Sequence, residues 1–445
     1  MKKTKLLFCH LKYDLPECSK AIYNNMVLPS GLGIIMEIAS KHSIPYDYFD
    51  TYFSGNTNDF LSYYKKSRHK VVLFSAIAGN YSYPYLKYIF KKIKEINPSS
   101  IIVLGGPITS LYPKILLEEL CPDIIVIGEG EEAFLELDAV DFSLDKLSKI
   151  EGIGYRNGKD YFINPSRKPL KSPLENKSCN PLFQDDVFKP FLSQYVERQK
   201  QFNRGWEISG SRGCVADCSF CKRVFDKSIT YFSADYVVNI MKHVKNHFGL
   251  TRFKFLDENF VSNRKNFKAF LDLLEESQIN IKWLIRARID NIPFNFLDRM
   301  KKLGLTHVTV GVESVNQEIL NFYNKRLIIS NYKKELKELA RQNLLFAAFI
   351  LGAPYESEET IKENIDFIRY TGLTKENITV AYLSIIPGTK ICNDLFQQGK
   401  IKSVKDYLMN YKGDFSKIEF NISKMSDKAL IEARDLMYQA AGSNC

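Results

Sequence analysis

GSRGCVADCSFCKR, residues 210–223, sets Cys214, Cys218 and Cys221 in a C-x3-C-x2-C array on one short loop. Three thiolates so spaced can each take one iron of a cubane cluster. Such clusters normally take four cysteines, so one iron is left open for a substrate or cofactor. Phe220 stands just before the third cysteine, where it can cover the cluster or an aromatic ligand. Gly210 and Gly213 let the backbone turn tightly around the irons. The run 206–209 reads as a short strand delivering the loop. A zinc site is the alternative reading, but it wants a fourth ligand nearby, and zinc cysteines usually come as two short C-x2-C pairs. His243 and His247 share a helical face at i, i+4, yet they lie 22 residues past Cys221 in an ordinary amphipathic pattern.

Downstream of the loop the pattern alternates. Helices are predicted over 234–248, 264–277, 296–303, 333–342 and 358–371, and strands over 252–256, 282–288, 307–312, 346–351 and 377–386. With the strand before the loop these make six, the count of a partial (β/α)6 barrel, whose active site lies at the C-terminal mouth of the strands. Polar or special residues at those ends are Asp257, Glu258 and Asn259, then Arg286 and Arg288, then Glu313 and Ser314, then Gly352 and Pro354. Arg286 and Arg288 share one strand face, because side chains two apart point the same way. The tail 397–445 is charged and largely helical in pattern. It holds no second cysteine-rich segment, which argues against auxiliary clusters.

Upstream, apolar strands are predicted over 5–10, 44–49, 71–75, 101–105 and 124–127. Helices open at Leu28-Pro-Ser-Gly-Leu-Gly33 and over 85–96, 111–120 and 133–137. Strands alternating with helices make a doubly wound parallel sheet, whose ligands bind beyond the carboxyl ends of the strands. Those ends carry His10, Ser75, Gly105, Gly106, Gly128 and Glu129. Residues 150–169 read as a β-hairpin with Asn157-Gly158 as its turn, and 170–203 as a polar connector. The expected organisation is a first α/β domain over 1–148, hairpin and linker over 149–202, the partial barrel over 203–396 and a helical segment over 397–445.

The chain of 445 residues has room for two or three domains, and its formal charge is +11. The lysines are scattered, which reads as a solvated surface; attraction to an acidic partner is the other reading. No nucleic-acid role is expected. The N-terminal apolar run is too short for a signal peptide, and no run approaches the roughly 20 apolar residues of a membrane span. The cysteines outside the loop, Cys9, Cys18, Cys121, Cys179, Cys392 and Cys445, show no pairing pattern. A reduced cytoplasm is the expected compartment.

The cysteine loop resembles the signature of the radical S-adenosylmethionine (SAM) superfamily. The first third resembles the cobalamin-binding domain that precedes many such barrels, through Pro29–Gly33, Gly105-Gly106-Pro107 and Gly128–Glu131. The resemblance implies a [4Fe-4S] cluster on Cys214, Cys218 and Cys221, whose open iron chelates SAM and cleaves it to a 5′-deoxyadenosyl radical. It implies that Asp257, Glu258 and Asn259 hold the methionyl ammonium, and that Arg286 or Arg288 pairs the carboxylate. Glu313 and Ser314 would meet the ribose, and Gly352 and Pro354 would lie under the adenine. Ser75, Gly105, Gly106, Gly128 and Glu129 would surround cobalamin. The Asp-x-His-x-x-Gly loop that supplies a cobalt ligand in some cobalamin proteins is absent, so no axial ligand is named. His10 stands at a strand end and reads first as a satisfied polar residue. A degenerate corrin fold kept for packing or peptide docking is the other reading of this domain.

The implied reaction is cobalamin-dependent methylation of an unactivated carbon. The rivals are a cobalamin-independent peptide epimerase with Cys392 as hydrogen-atom donor, a cobalamin-dependent cyclase, and a cluster-bearing scaffold without catalysis. A peptide or a small natural-product precursor is the expected substrate class, with a reducing electron donor as partner and no membrane.

Overall fold

The computed structural model describes residues 4–12, 29–77, 82–170, 186–222 and 228–442. The stretch 13–28, much of the connector at 171–185, Arg223 and the cysteines Cys18, Cys179 and Cys445 lie outside these. The chain divides into two compact units, Met1–Phe202 with Asn393–Gly413, and Asn203–Cys392 with Asp414–Cys445.

The first unit runs β1 (Leu6–His10), α1 (Ser30–Lys41), β2 (Tyr46–Asp50), α2 (Thr57–Ser67), β3 (Val71–Ser75), α3 (Ser82–Ile96), β4 (Ile101–Gly105), α4 (Pro113–Glu119), β5 (Ile124–Val126), α5 (Glu131–Ala139), β6 (Ile153–Asn157), β7 (Asp160–Ile163) and α6 (Lys189–Gln201). VVLFS of β3 and IIVLG of β4 bury every residue but the last, as strands covered on both faces must. The sheet order is β2-β1-β3-β4-β5-β6-β7. The first five strands are parallel and the last two antiparallel. The order reverses between β1 and β3, and that switch point is where doubly wound sheets open a ligand crevice.

Two local readings are revised. Helix α2 was not assigned from sequence; it buries only Thr57, Phe60 and Tyr64, a faint apolar stripe, and is started by an Asn56–Asp59 capping box. In the hairpin, Asn157 pairs with Asp160, so the turn is Gly158-Lys159, with Gly158 supplying φ +63°. The hairpin extends the first sheet, because β6 pairs with β5.

The second unit runs β8 (Trp206–Ile208), the short antiparallel pair β9 (Ser211–Arg212) and β10 (Thr230–Tyr231), α7 (Ala234–Phe248), β11 (Arg252–Phe255), α8 (Arg264–Glu276), β12 (Lys282–Ala287), α9 (Leu297–Lys302), β13 (Leu305–Glu313), α10 (Gln317–Phe322), α11 (Lys333–Arg341), β14 (Leu345–Leu351), α12 (Glu358–Thr371) and β15 (Ile378–Tyr382). The chain closes with α13 (Lys390–Gln397), α14 (Val404–Asn410) and α15 (Asp427–Ala440). Six parallel strands lie in the order β15-β14-β13-β12-β11-β8, the wall of a partial barrel. Trp283, Ile285 and Ala287 of β12 are buried on the helix side, where Trp283 meets Phe270 of α8, while Arg286 is exposed. The tail 397–445 is shared between the units. Leu408 of α14 is part of the core under α3, and Lys405 reaches Glu119 at 2.8 Å, while α15 packs on α12 and β15.

Candidate functional site

The cysteine loop is fixed at both ends. At its start Asp257, just past β11, is buried and accepts hydrogen bonds from the Gly210 N–H at 2.9 Å and the Ser211 hydroxyl at 2.5 Å. Burial pushes its carboxyl up to about 7 against these bonds. A Cβ on Gly210 would lie 2.2 Å from the Phe260 ring, so this glycine serves close approach, whereas Gly213 adopts φ +91°. At the far end the Ser219 N–H donates to the Tyr323 carbonyl at 2.8 Å and its hydroxyl to the Phe322 carbonyl at 2.8 Å. Asn324 Nδ2 donates to the Asp217 carbonyl at 2.7 Å. Phe220 sets its ring edge against Tyr323, with centroids 5.0 Å apart.

The three thiols share one field with two cations and two carboxylates. Burial pushes the Cys218 thiol up, while Lys325 and then Arg288 pull it back. Cys221 keeps an exposed surface, yet enough protein crowds its sulfur that desolvation, then Cys218, Cys214, Glu258 and Glu313, push it up to about 11. Among the described residues no three His, Cys, Asp or Glu side chains converge as ligands of one metal ion. A cubane takes one thiolate per iron, so its cysteines share a neighbourhood rather than a point. Three thiols on one anchored loop, with cations beside them, fit that group. His243 and His247 stack on each other on α7, with centroids 3.9 Å apart.

The strand-end residues separate into open and committed groups. Glu258 is exposed beside Cys221, and its carboxylate forms no ion pair among the described residues. Asp257 is an anchor of the loop rather than an open acceptor. Asn259 is buried and bonded to Asn291 and the Arg288 N–H, so it ties two strand ends together. Arg286 and Arg288 part company. Arg286 is exposed; Arg288 leaves the strand, grips Asp290 with two bonds at 3.0 and 2.9 Å, and lies in the field of Cys218 and Cys214. Glu313 is buried and ion-paired to Lys325 at 2.7 Å. Ser314 is fully buried, its hydroxyl accepting from the Asn316 N–H at 3.1 Å. Gly352 adopts φ +107° ahead of the half-buried Pro354. Cys392 is buried in the first turn of α13, its N–H bonded to Thr389 Oγ1 at 3.3 Å.

Three residues of the site escaped the sequence reading. Lys325 sits in a run, Asn324-Lys325-Arg326, that looks like surface. Glu356 is buried and accepts from the Gly352 and Ala353 N–H groups, shaping the loop after β14. Tyr323 is fully buried, and among the described residues its hydroxyl has no hydrogen-bond partner. Only a strand-end glycine followed four residues later by an acid, as at Gly352 and Glu356, carried any local signal.

In the first unit β1, β2 and β3 end in His10, Asp50 and Ser75, whereas β4 and β5 lead into glycines. Gly106 has φ +90°, and a Cβ there would lie 2.6 Å from the Ala76 carbonyl and 2.7 Å from Ser75 Oγ. Gly128 has φ +81° with open space where a Cβ would be, and its N–H donates to Ser110 Oγ at 3.2 Å. Gly106 thus lets the loop pack against the end of β3, and Gly128 leaves room for a large planar ligand to approach the backbone closely. Glu129 is turned the other way, accepting from the Leu170 N–H at 2.6 Å, and so holds the connector. His10 Nδ1 donates to Asp50 Oδ2 at 3.0 Å and its ring stacks on Tyr52, and Asp50 also accepts from the Tyr48 hydroxyl and the Tyr52 N–H.

The chain matches the radical SAM superfamily over residues 208–368 and the B12 binding domain over 23–138. It is 28% identical over 322 residues to an uncharacterized methyltransferase of Pyrococcus horikoshii, covering 71% of this chain and 67% of that protein. It is 30% identical over 290 residues to the anaerobic magnesium-protoporphyrin IX monomethyl ester cyclase of Rubrivivax gelatinosus, covering 62% of this chain and half the length of that enzyme. In fold it is similar to the radical SAM methyltransferase TsrM of Kitasatospora setae, solved with cobalamin and a [4Fe-4S] cluster bound, with a TM-score of 0.70 at 15% identity over 89% of this chain and 75% of that one. A cluster loop on a partial barrel, behind a doubly wound sheet with a glycine edge, thus has its match in both halves, and the chain belongs to the radical SAM enzymes that carry a B12 binding domain.

Proposed function

We propose that this protein is a cobalamin-dependent radical SAM methyltransferase that acts on an unactivated carbon. One observation carries the reading: a three-cysteine loop, anchored among two cations and two carboxylates at the mouth of a parallel barrel wall, shares its chain with a glycine-edged doubly wound sheet. When bound, the cluster with SAM supplies a radical able to take a hydrogen atom from carbon, and cobalamin supplies a methyl group. Cys214, Cys218 and Cys221 would hold the cluster. Glu258 is the open acceptor for a methionyl ammonium, and Arg288 the cation for its carboxylate. Glu313, held by Lys325, is the acceptor at the ribose position. Phe220 against Tyr323 walls the loop from water. Gly105 and Gly128 would let a corrin lie close to backbone. The methyltransferase name of the Pyrococcus relative supports the reading, and so does the cobalamin of TsrM. Among the described residues no helix is long and apolar enough to cross a membrane. A reducing cytoplasm, an electron donor, and a peptide or small natural-product precursor as substrate complete the proposal.

The test is corrinoid content per chain after anaerobic purification from cobalamin-fed cells, followed by turnover with methyl-labelled SAM. Near one corrinoid per chain and label in a product carbon are expected. An intact cluster that cleaves SAM in a chain free of corrinoid would overturn methyl transfer. It would favour the epimerase, to be tested by deuterium uptake with and without Cys392.

A further inference from the structure

The segment that follows α10 does more than connect. It brackets Cys218: Asn324 holds the carbonyl of the residue before it, and Phe322 and Tyr323 hold the N–H and hydroxyl of the residue after it. The next residue is Lys325. Its neighbours Asn324 and Arg326 both adopt left-handed backbone, at φ +48° and +50°, and this double kink turns the lysine inward. Lys325 is only 6% exposed, and its ammonium pairs with Glu313, 7% exposed, at 2.7 Å. Glu313 itself has φ +61° and stands at a register shift in β13. Gly311 leaves the space for the pair, since a Cβ there would lie 2.3 Å from Glu313 Oε1 and 3.1 Å from Lys325 Nζ. Arg288 locks the same turn, its Nη2 donating to the Lys325 carbonyl at 3.0 Å.

A buried ion pair is weak as a source of stability, because desolvation offsets attraction. Here three strained backbones and one glycine are arranged to bury one, one residue past the bracket on a cluster thiol. We infer that Lys325 is a positioning residue of the cluster site: it fixes the Glu313 carboxylate and sets an ammonium near Cys218 that favours the reduced cluster. Adding an electron makes the cluster more negative, and a fixed cation in a low-dielectric site stabilises that state. This inference rests on the cluster reading of the loop.

The experiment is a dye-mediated redox titration of the reconstituted protein without SAM, followed by the EPR signal of the reduced cluster. Wild type, K325Q and K325R are compared. In K325Q the ratio of reduced to oxidised cluster at a given potential should fall about tenfold, a shift of about 59 mV to more negative potential for one electron. K325R should restore most of it. The KM for SAM should rise more than kcat falls in K325Q, through the loosened Glu313. A K325Q cluster that titrates with wild type overturns the inference. Should K325Q not take up iron, G311A decides: it keeps every charge but crowds Nζ and Oε1 apart, and a smaller shift of the same sign is expected. An unmoved potential in G311A overturns the proposal. Absence of any cluster signal in wild type would sink the cluster reading instead.

Discussion

Both parallel sheets present a ligand edge at the carboxyl ends of their strands, but they furnish it in opposite ways. In the second unit the edge is dense with ionisable side chains, and most of them are held in place: Asp257 by the loop, Arg288 by Asp290, Glu313 by Lys325. In the first unit glycines follow β4 and β5, and the ends of β1 and β2 hold one acid–histidine network of His10, Asp50 and Tyr48. The difference teaches what each edge has to do. A charged, labile cofactor needs prealigned charges and a loop that does not move. A large planar group needs clearance and backbone donors.

The largest effect expected is from Cys218→Ala. It removes the ligand of one iron, so iron and sulfide per chain should collapse and 5′-deoxyadenosine should become undetectable, while corrinoid uptake persists. Joint loss of corrinoid would show that the two edges do not load independently.

Next comes a pH effect from Asp257. The native carboxyl keeps its proton to about pH 7, whereas an ordinary aspartate releases it near 3.8. The native state therefore binds more protons in that window, and stability falls as pH rises through it. At about 1.4 kcal/mol per pH unit this is at most about 4 kcal/mol. Urea unfolding of cluster-free protein between pH 4.5 and 7.5, ranges chosen as roughly spanning that window, should show the slope, and Asp257→Asn should flatten it. A slope that survives the substitution would assign it elsewhere.

Gly106→Ala is the matching test of the first unit's edge. The new Cβ meets the Ala76 backbone at 2.6 Å in a left-handed conformation, an overpacking worth about 1–3 kcal/mol. Corrinoid per chain should fall about tenfold with cluster iron unchanged. The smallest effect is expected from His10→Ala. Asp50 keeps its bonds to Tyr48 and Tyr52, so thermal unfolding should show a loss of about 1 kcal/mol. A changed corrinoid spectrum in that variant would give His10 a cofactor role that its geometry does not assign.

Much of this was legible along the chain. The strands of both sheets read well because each is a short apolar run bounded by turn residues, and β3, β4 and α12 fall where the pattern places them. Helix α2 did not, since three buried residues make no clear stripe. The hairpin was seen, but its attachment to β5 was not, because strand pairing across an intervening helix leaves no local mark. At the site, the burial of Ser314 and of Lys325 leaves no local mark in the sequence. Both were decided by packing.

The sequence alone determined the cysteine loop, the strand–helix alternation and the set of polar residues at strand ends, since spacing and period are local properties. Only the tertiary structure decided which of those residues remain open and which are consumed. Asp257 and its partner Gly210 stand 47 residues apart, and even Lys325, 12 residues past Glu313, reaches it only through a kinked turn. A hydrogen bond depends on distance in space, and no periodicity encodes that.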